Sequence, residues 1–96
     1  MKARLLKQAK NDLFDAAGYY ELEQAGLGKR FLDCVEDAIS RIEENPGLYP
    51  FVDGDTRRCL TKRFPFGIMY YIANEAIEVV AIAHLKRKPG YWAGKS

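Results

Sequence analysis

Residues 57–92 read RRCLTKRFPFGIMYYIANEAIEVVAIAHLKRKPGYW. Two long apolar runs, Phe64 to Ala73 and Ala76 to Leu85, are separated only by Asn74-Glu75. Such a spacing predicts a tight β-hairpin with strands over 64–73 and 76–85, preceded by a first strand over 57–63. Basic residues come before the pair (Arg57, Arg58, Lys62, Arg63) and after it (Lys86, Arg87, Lys88), so the hairpin carries a positive rim.

Strict alternation sends Phe64, Phe66, Ile68, Tyr70 and Ile72 to one face and Pro65, Gly67, Met69, Tyr71 and Ala73 to the other. On the next strand Ile77, Val79, Ala81 and Ala83 oppose Glu78, Val80, Ile82 and His84. Both faces are therefore substantially apolar. Two helices cover one face of a small sheet, which leaves the other for self-association or a partner protein.

Upstream of the hairpin, helical periodicity dominates. Leu6, Ala9, Leu13, Ala16, Ala17 and Tyr20 recur at steps of three and four, with Lys10, Asp12 and Asp15 as charges between them. This predicts a helix over about 8–24, broken near Gly26, which suits a left-handed cap. A second stripe of Leu27, Phe31, Cys34, Val35, Ala38 and Ile42 predicts a helix over 27–44 that ends at Asn45-Pro46-Gly47. The short connection makes the pair an antiparallel helical hairpin. Residues 46–56 are expected as a loop. The Gly-Leu-Gly at 26–28 lacks the preceding strand and the full glycine pattern of a phosphate loop. The expected fold class is α+β: a helical hairpin on a small antiparallel sheet of three to four strands, one domain over 1–96.

At 96 residues, 48% hydrophobic and 29% charged, the composition is that of one globular domain, with about 60% of its unfolded surface buried. No apolar run has membrane-spanning length and the lysine-rich start does not suit a signal peptide, so a cytoplasmic protein with no membrane partner is expected. Cys34 and Cys59 read as buried free thiols. A thiol nucleophile with His84 as base has no local support. One histidine and two scattered thiols make no metal site, and no cofactor is expected.

Charge is uneven. Residues 1–56 hold seven Lys/Arg and eleven Asp/Glu, 7 − 11 = −4; residues 57–96 hold eight Lys/Arg against Glu75 and Glu78, 8 − 2 = +6. Either the C-terminal half meets an anionic partner, or the cations guard a sheet edge against aggregation.

Several segments taken together resemble a known family: AKNDLFDAAGYYE at 9–21, GLGKRFLDCVEDAISRIEENPGLYP at 26–50, then KRFPFGIMY and AHLKRKPGYW. They are similar to the ParE/RelE superfamily of toxins from type II toxin–antitoxin modules, and closer to ParE than to RelE. The resemblance covers nearly the whole chain. It implies a cognate antitoxin, disordered until bound, in a hetero-oligomer with the toxin. The apolar outer face of the sheet, represented by Phe66, Met69, Tyr71, Val80 and Ile82, is the expected contact. Members usually open with a short strand and a Ser/Thr-Pro pair that caps the first helix. Here Ala3 to Leu6 is the only candidate strand, and Lys7-Gln8 stand where the cap would be.

The superfamily implies two activities. ParE-like members are associated with poisoning DNA gyrase without chemistry of their own; RelE-like members cut mRNA on the ribosome. For a gyrase poison, the target-binding candidates are Arg58, Lys62, Arg63, Lys86, Arg87, Lys88, Tyr91 and Trp92. For a nuclease, His84, Arg87 and Tyr91 are the catalytic candidates: an imidazole for proton transfer, a guanidinium for phosphate charge, a phenol to stack or donate. Each also has a structural reading, His84 as a half-buried strand end and Tyr91-Trp92 as an anchor of the C-terminus. The preferred expectation is a non-enzymatic gyrase inhibitor. The alternatives are an mRNA endonuclease acting with the ribosome, and a non-toxic interaction module or inactive relic.

Overall fold

The structure is a computed structural model that describes residues 1–86. In chain order it runs β1 (Ala3–Leu5), α1 (Lys7–Glu23), α2 (Leu27–Glu44), β2 (Phe51–Asp53), β3 (Thr56–Leu60), β4 (Phe66–Ala73) and β5 (Ala76–His84). The sheet has five strands in the order β1-β5-β4-β3-β2. That exceeds the expected three to four. β2 lies in the stretch read as a loop, and three-residue β1 pairs parallel to β5 through Ala3–Ile77, Arg4–Glu78 and Leu5–Val79. Strands this short carry too few residues to show alternation. β3 also stops at Leu60, because residues 61–65 form a tight connection.

Helix α1 starts at Leu6 without a side-chain cap. It is held instead by the strand before it, where the Leu6 N–H donates to the Val79 carbonyl at 2.9 Å. The start of α2 is built differently. Gly26 adopts φ +88°, and the Glu21 carboxylate accepts from the Gly26 N–H at 3.0 Å and the Gly28 N–H at 3.0 Å. The backbone amides of Gly-Leu-Gly do bind an anion, but it is the chain's own carboxylate. A Cβ on Gly28 would lie 2.8 Å from the Ala17 carbonyl oxygen. Only glycine lets the two helices approach this closely.

The core lies between the helices and one face of the sheet. Ala9, Phe31, Val35, Ala38 and Ile42 pack on Cys59, Phe66, Ile68, Tyr70, Ile77, Val79 and Ile82. Rings knit one end of it: Phe31 sits 4.9 Å from Phe66 and 5.3 Å from both Tyr20 and Phe64, centroid to centroid. At the other end the Tyr70 hydroxyl donates to the Pro46 carbonyl at 2.6 Å.

The β4–β5 turn has positive φ at both Asn74 (52°) and Glu75 (61°), the backbone that suits a two-residue hairpin. Further along, alternation fails. Tyr70 pairs with Val79 but Met69 pairs with Ala81, so Val80 is an extra residue in a β-bulge. Beyond it every side chain of β5 changes face. Ile82 joins the helix-side core and Ala81 and Ala83 turn outward, the reverse of the expected assignment. The ladder disrupted here is completed by a helix: the Ile82 N–H donates to Asp12 Oδ2 at 2.9 Å. Asp12 is therefore a tie between α1 and β5 and not a solvated charge.

Candidate functional site

At one end of the sheet the strands on both sides of β4 are tied to its start. Thr61 N–H donates to the Phe66 carbonyl at 3.0 Å and Leu85 N–H to the Pro65 carbonyl at 2.8 Å. These bonds bring exposed Lys62, Arg63 and Lys86 to the same end of the molecule. The connection carrying the first two is rigid. Phe64 N–H closes a three-residue turn on the Lys62 carbonyl at 2.8 Å, with Arg63 at its centre in the left-handed region (φ 68°). Non-glycine residues occupy that region at a cost and only where the surroundings over-determine it. Here the Thr61 hydroxyl donates to the Phe64 carbonyl at 2.8 Å.

Beneath this turn lies an open cleft of about 530 Å³ against α2, lined by Leu27, Arg30, Cys34 and Phe64 with Asp33 and Asp37 at its side. Lys62 Nζ reaches Asp37 at only 3.9 Å. Arg58 stands at the middle of β3, opposite Met69 on the sheet's outer face. Its stem crosses Gly67, where a Cβ would sit 2.8 Å from Arg58 Cγ and Cδ. Arg57, beside it in sequence, is fully engaged: it donates to the carbonyls of Gly47 and Tyr49 at 3.2 and 2.7 Å and stacks on Phe51 at 3.9 Å.

His84 ends β5 on the helix side, half-buried, 5.3 Å from the Phe66 ring. Its Nδ1 accepts the Lys86 N–H at 3.1 Å. It opens on a hollow of about 270 Å³ shared with Asp12, Asp15 and Tyr19. A phosphate entering there meets carboxylates, the wrong sign of charge for anion binding. Cys59 is fully buried and Cys34 half-buried, both as free thiols. Burial pushes the Cys59 thiol above its ordinary range. The described residues contain no cluster of side chains able to hold a metal ion.

Comparison with known proteins assigns the chain. Residues 3–89 match the family model of the ParE toxin of the type II toxin–antitoxin system parDE. The chain belongs to the ParE toxin family. Among solved structures it is similar to one from the chromosomal ParDE toxin–antitoxin system of P. aeruginosa, at 17% identity and TM-score 0.65. The match covers 88% of this chain and 95% of that one, a likeness of fold. No curated protein matches the sequence.

In this ParE-family chain, Lys62, Arg63 and Lys86 lie at one end of the sheet, while Arg58 stands at the middle of β3 with its stem over Gly67. Arg87, Lys88, Tyr91 and Trp92 lie outside the described residues. The outer-face set divides. Met69, Tyr71 and Val80 do lie on the face away from the helices, whereas Phe66 and Ile82 are 8% and 2% exposed in the helix-side core. Phe66 shares the core side that alternation gave it with Ile68 and Tyr70, so its place in the outer set was inconsistent; Ile82 is turned inward by the bulge. Glu78, which was not among the candidate site residues, is 7% exposed on the outer face and accepts from Arg4 Nε at 2.6 and 2.9 Å. A lone glutamate in an apolar strand was its signal. No helix among the described residues is long and apolar enough to cross a membrane.

Proposed function

We propose that this ParE-family toxin acts by binding and inhibiting DNA gyrase, performs no chemistry of its own, and is neutralised by a cognate antitoxin. The observation that carries the non-catalytic reading is the setting of His84. The imidazole packs on Phe66, accepts a backbone N–H on one nitrogen, and shares its hollow with Asp12 and Asp15. A nuclease acting on RNA needs cations converging on the scissile phosphate. The described cations sit instead on the rigid Lys62–Phe64 turn and on the outer face, arranged to present charge to a partner's surface. The antitoxin reading is supported by family membership and by the toxin–antitoxin name of the P. aeruginosa structure.

The test is purified toxin, freed of antitoxin, in a gyrase supercoiling and cleavage assay with ATP. Inhibition or trapped cleaved DNA is the expected result. Combined reversal of Lys62 and Arg63 to glutamate should then weaken inhibition at least about 10-fold, and the folded variant His84→Ala should inhibit as well as the parent. Growth arrest without any effect on gyrase, lost in the folded His84→Ala variant, would replace this reading with mRNA cleavage on the ribosome.

A further inference from the structure

The cleft beneath the Lys62–Phe64 turn has two unlike walls. The wall on α2 is a single stripe: Leu27, Arg30, Cys34 and Asp37 recur at steps of three and four and so share one face of the helix. At about 1.5 Å of rise per residue the stripe is about 15 Å long, room for roughly four or five residues of extended chain. The opposite wall is the turn itself, with Lys62, Arg63 and Phe64. The Phe64 ring is fastened at its base, 4.9 Å from Tyr20 and 5.3 Å from Phe31, so this wall is fixed before anything binds. The volume of about 530 Å³ falls within the range of about 300–1,000 Å³ typical of sites that hold a ligand.

The charges around the cleft are not equivalent. Each acid already has a cation of its own: Asp33 accepts from Lys29 Nζ at 3.1 Å, and Asp37 from Arg41 Nε at 3.1 Å. Arg30 and Arg63 are exposed, and among the described residues neither guanidinium has an ion-pair or hydrogen-bond partner. Lys62 is held only loosely, 3.9 Å from the Asp37 that Arg41 already serves. Three cations therefore face the cleft with little compensation, around an apolar floor of Leu27, Cys34 and Phe64. Arg63 stands there against a backbone cost, since φ 68° is a conformation that glycine adopts freely and arginine does not.

We infer that this cleft takes a short acidic segment of the inhibited target that carries one large apolar side chain. The apolar group settles on Leu27, Cys34 and Phe64, and the carboxylates meet Arg30 and Arg63. Charge fixes the sign of the occupant. A basic segment would meet three cations and two acids that are already occupied, and an apolar one would cover guanidiniums without pairing them. The planar fork of a guanidinium matches a carboxylate with two parallel hydrogen bonds. The inference rests on the reading that the Lys62–Phe64 turn faces the target. To that reading it adds the α2 wall, Arg30 and the chemistry of the segment.

The experiment measures gyrase inhibition and growth arrest side by side, with the full chain. Arg30→Glu should weaken inhibition at least about 10-fold. Lys10→Glu, the same change of charge on α1, should inhibit as the parent does. Arg63→Gly should be as stable as the parent, because relief of the left-handed backbone offsets the added freedom of the unfolded chain, and yet inhibit more weakly. Benzyl methanethiosulfonate, which places a benzylthio group on the Cys34 sulfur, should block inhibition until dithiothreitol removes it. Cys59 is fully buried, and mass spectrometry identifies the labelled thiol. All three substituted positions are exposed, so far-UV circular dichroism should show each variant folded. If the parent inhibits gyrase and both Arg30→Glu and the Cys34-labelled chain inhibit equally well, the cleft is not the contact and only this inference falls. If the parent arrests growth without touching gyrase, and Arg30→Glu ends the arrest, the cleft keeps its role on a different target and the gyrase reading falls. A variant Arg30→Glu that stays fully toxic but escapes the antitoxin would give the cleft to that partner and overturn the inference.

Discussion

The two faces of this sheet are both apolar and each buries a cluster, but the helix-side cluster is much the larger. The inner face presents Phe66, Ile68, Tyr70, Ile77, Val79 and Ile82, large or branched side chains that interdigitate with the helices. The outer face presents Gly67, Met69, Ala81 and Ala83 at its centre, small or unbranched, with Val80, Val52 and Tyr71 at its margin. Small residues make a flat surface on which long cationic stems lie, as Arg58 does across Gly67. Hydropathy reports which positions leave water. Side-chain size and branching decide whether they fill a layer.

The sharpest way to break that distinction uses two neighbours on β4. Ile68 and Met69 are 0% and 4% exposed on opposite faces. Truncating a buried aliphatic residue costs 2–5 kcal/mol according to how far the site collapses. Ile68→Ala, locked between helix and sheet, should lose about 4 kcal/mol in urea denaturation, and Met69→Ala about 2 kcal/mol. Equal losses would show that the outer face is packed as tightly as the inner one.

A second test belongs to the inner face alone. The Tyr70 ring is fully buried, and burial pushes its hydroxyl up to about 12 from an ordinary 10. The folded state thus favours the neutral phenol, so its contribution is complete below pH 10 and is lost as pH rises from 10 to 12. Two pKa units correspond to about 2–3 kcal/mol. Stability followed from pH 9 to pH 12 should fall more steeply in the wild type than in Tyr70→Phe, which has no proton to lose. Parallel curves would show that Tyr70 ionises with the exposed phenols.

Much of this was legible in the sequence. Both helices begin and end within one residue of their periodicity, because α2 buries one clean stripe and Asn45-Pro46 stops it. The hairpin was legible because Asn74-Glu75 is the only break in a long apolar run. What escaped was non-periodic. The bulge at Val80 shifts the register by one and reassigns Ile82, Ala81 and Ala83. Its support comes from Asp12, some 70 residues away in sequence, a link no local pattern carries. β1 and β2 were too short to alternate. Of the candidate site, the basic end could be grouped by composition, but the split between Arg57, spent on loop carbonyls, and Arg58, free to present charge, depends on which face each side chain takes.

On the outer face the Arg4–Glu78 pair joins an arginine side chain 73% exposed to a carboxylate only 10% exposed. Removing the arginine strands the less hydrated partner, so Arg4→Ala should lower the melting temperature. Glu78→Gln should cost less, because it leaves no buried charge behind. If Arg4→Ala is neutral in thermal melts, water reaches Glu78 and the outer face is wetter than its burial implies.

The smallest expected effect is at Gly67, and it joins the packing of that face to the proposed activity. An added Cβ would come within 2.8 Å of Arg58 Cγ and Cδ and 3.3 Å of Met69 Cε. All three atoms belong to flexible side chains, so the backbone keeps its place and the arginine stem must lift. Gly67→Ala should therefore cost no more than about 1 kcal/mol, the low end for overpacking. It should also displace the guanidinium and weaken gyrase inhibition. Arg58→Ala with Gly67→Ala should restore the stability, since the stem that obstructs the methyl is gone, but not the inhibition. A double variant that recovers inhibition too would mean that Arg58 covers the face without touching the target, and would leave Lys62 and Arg63 as the cations that matter.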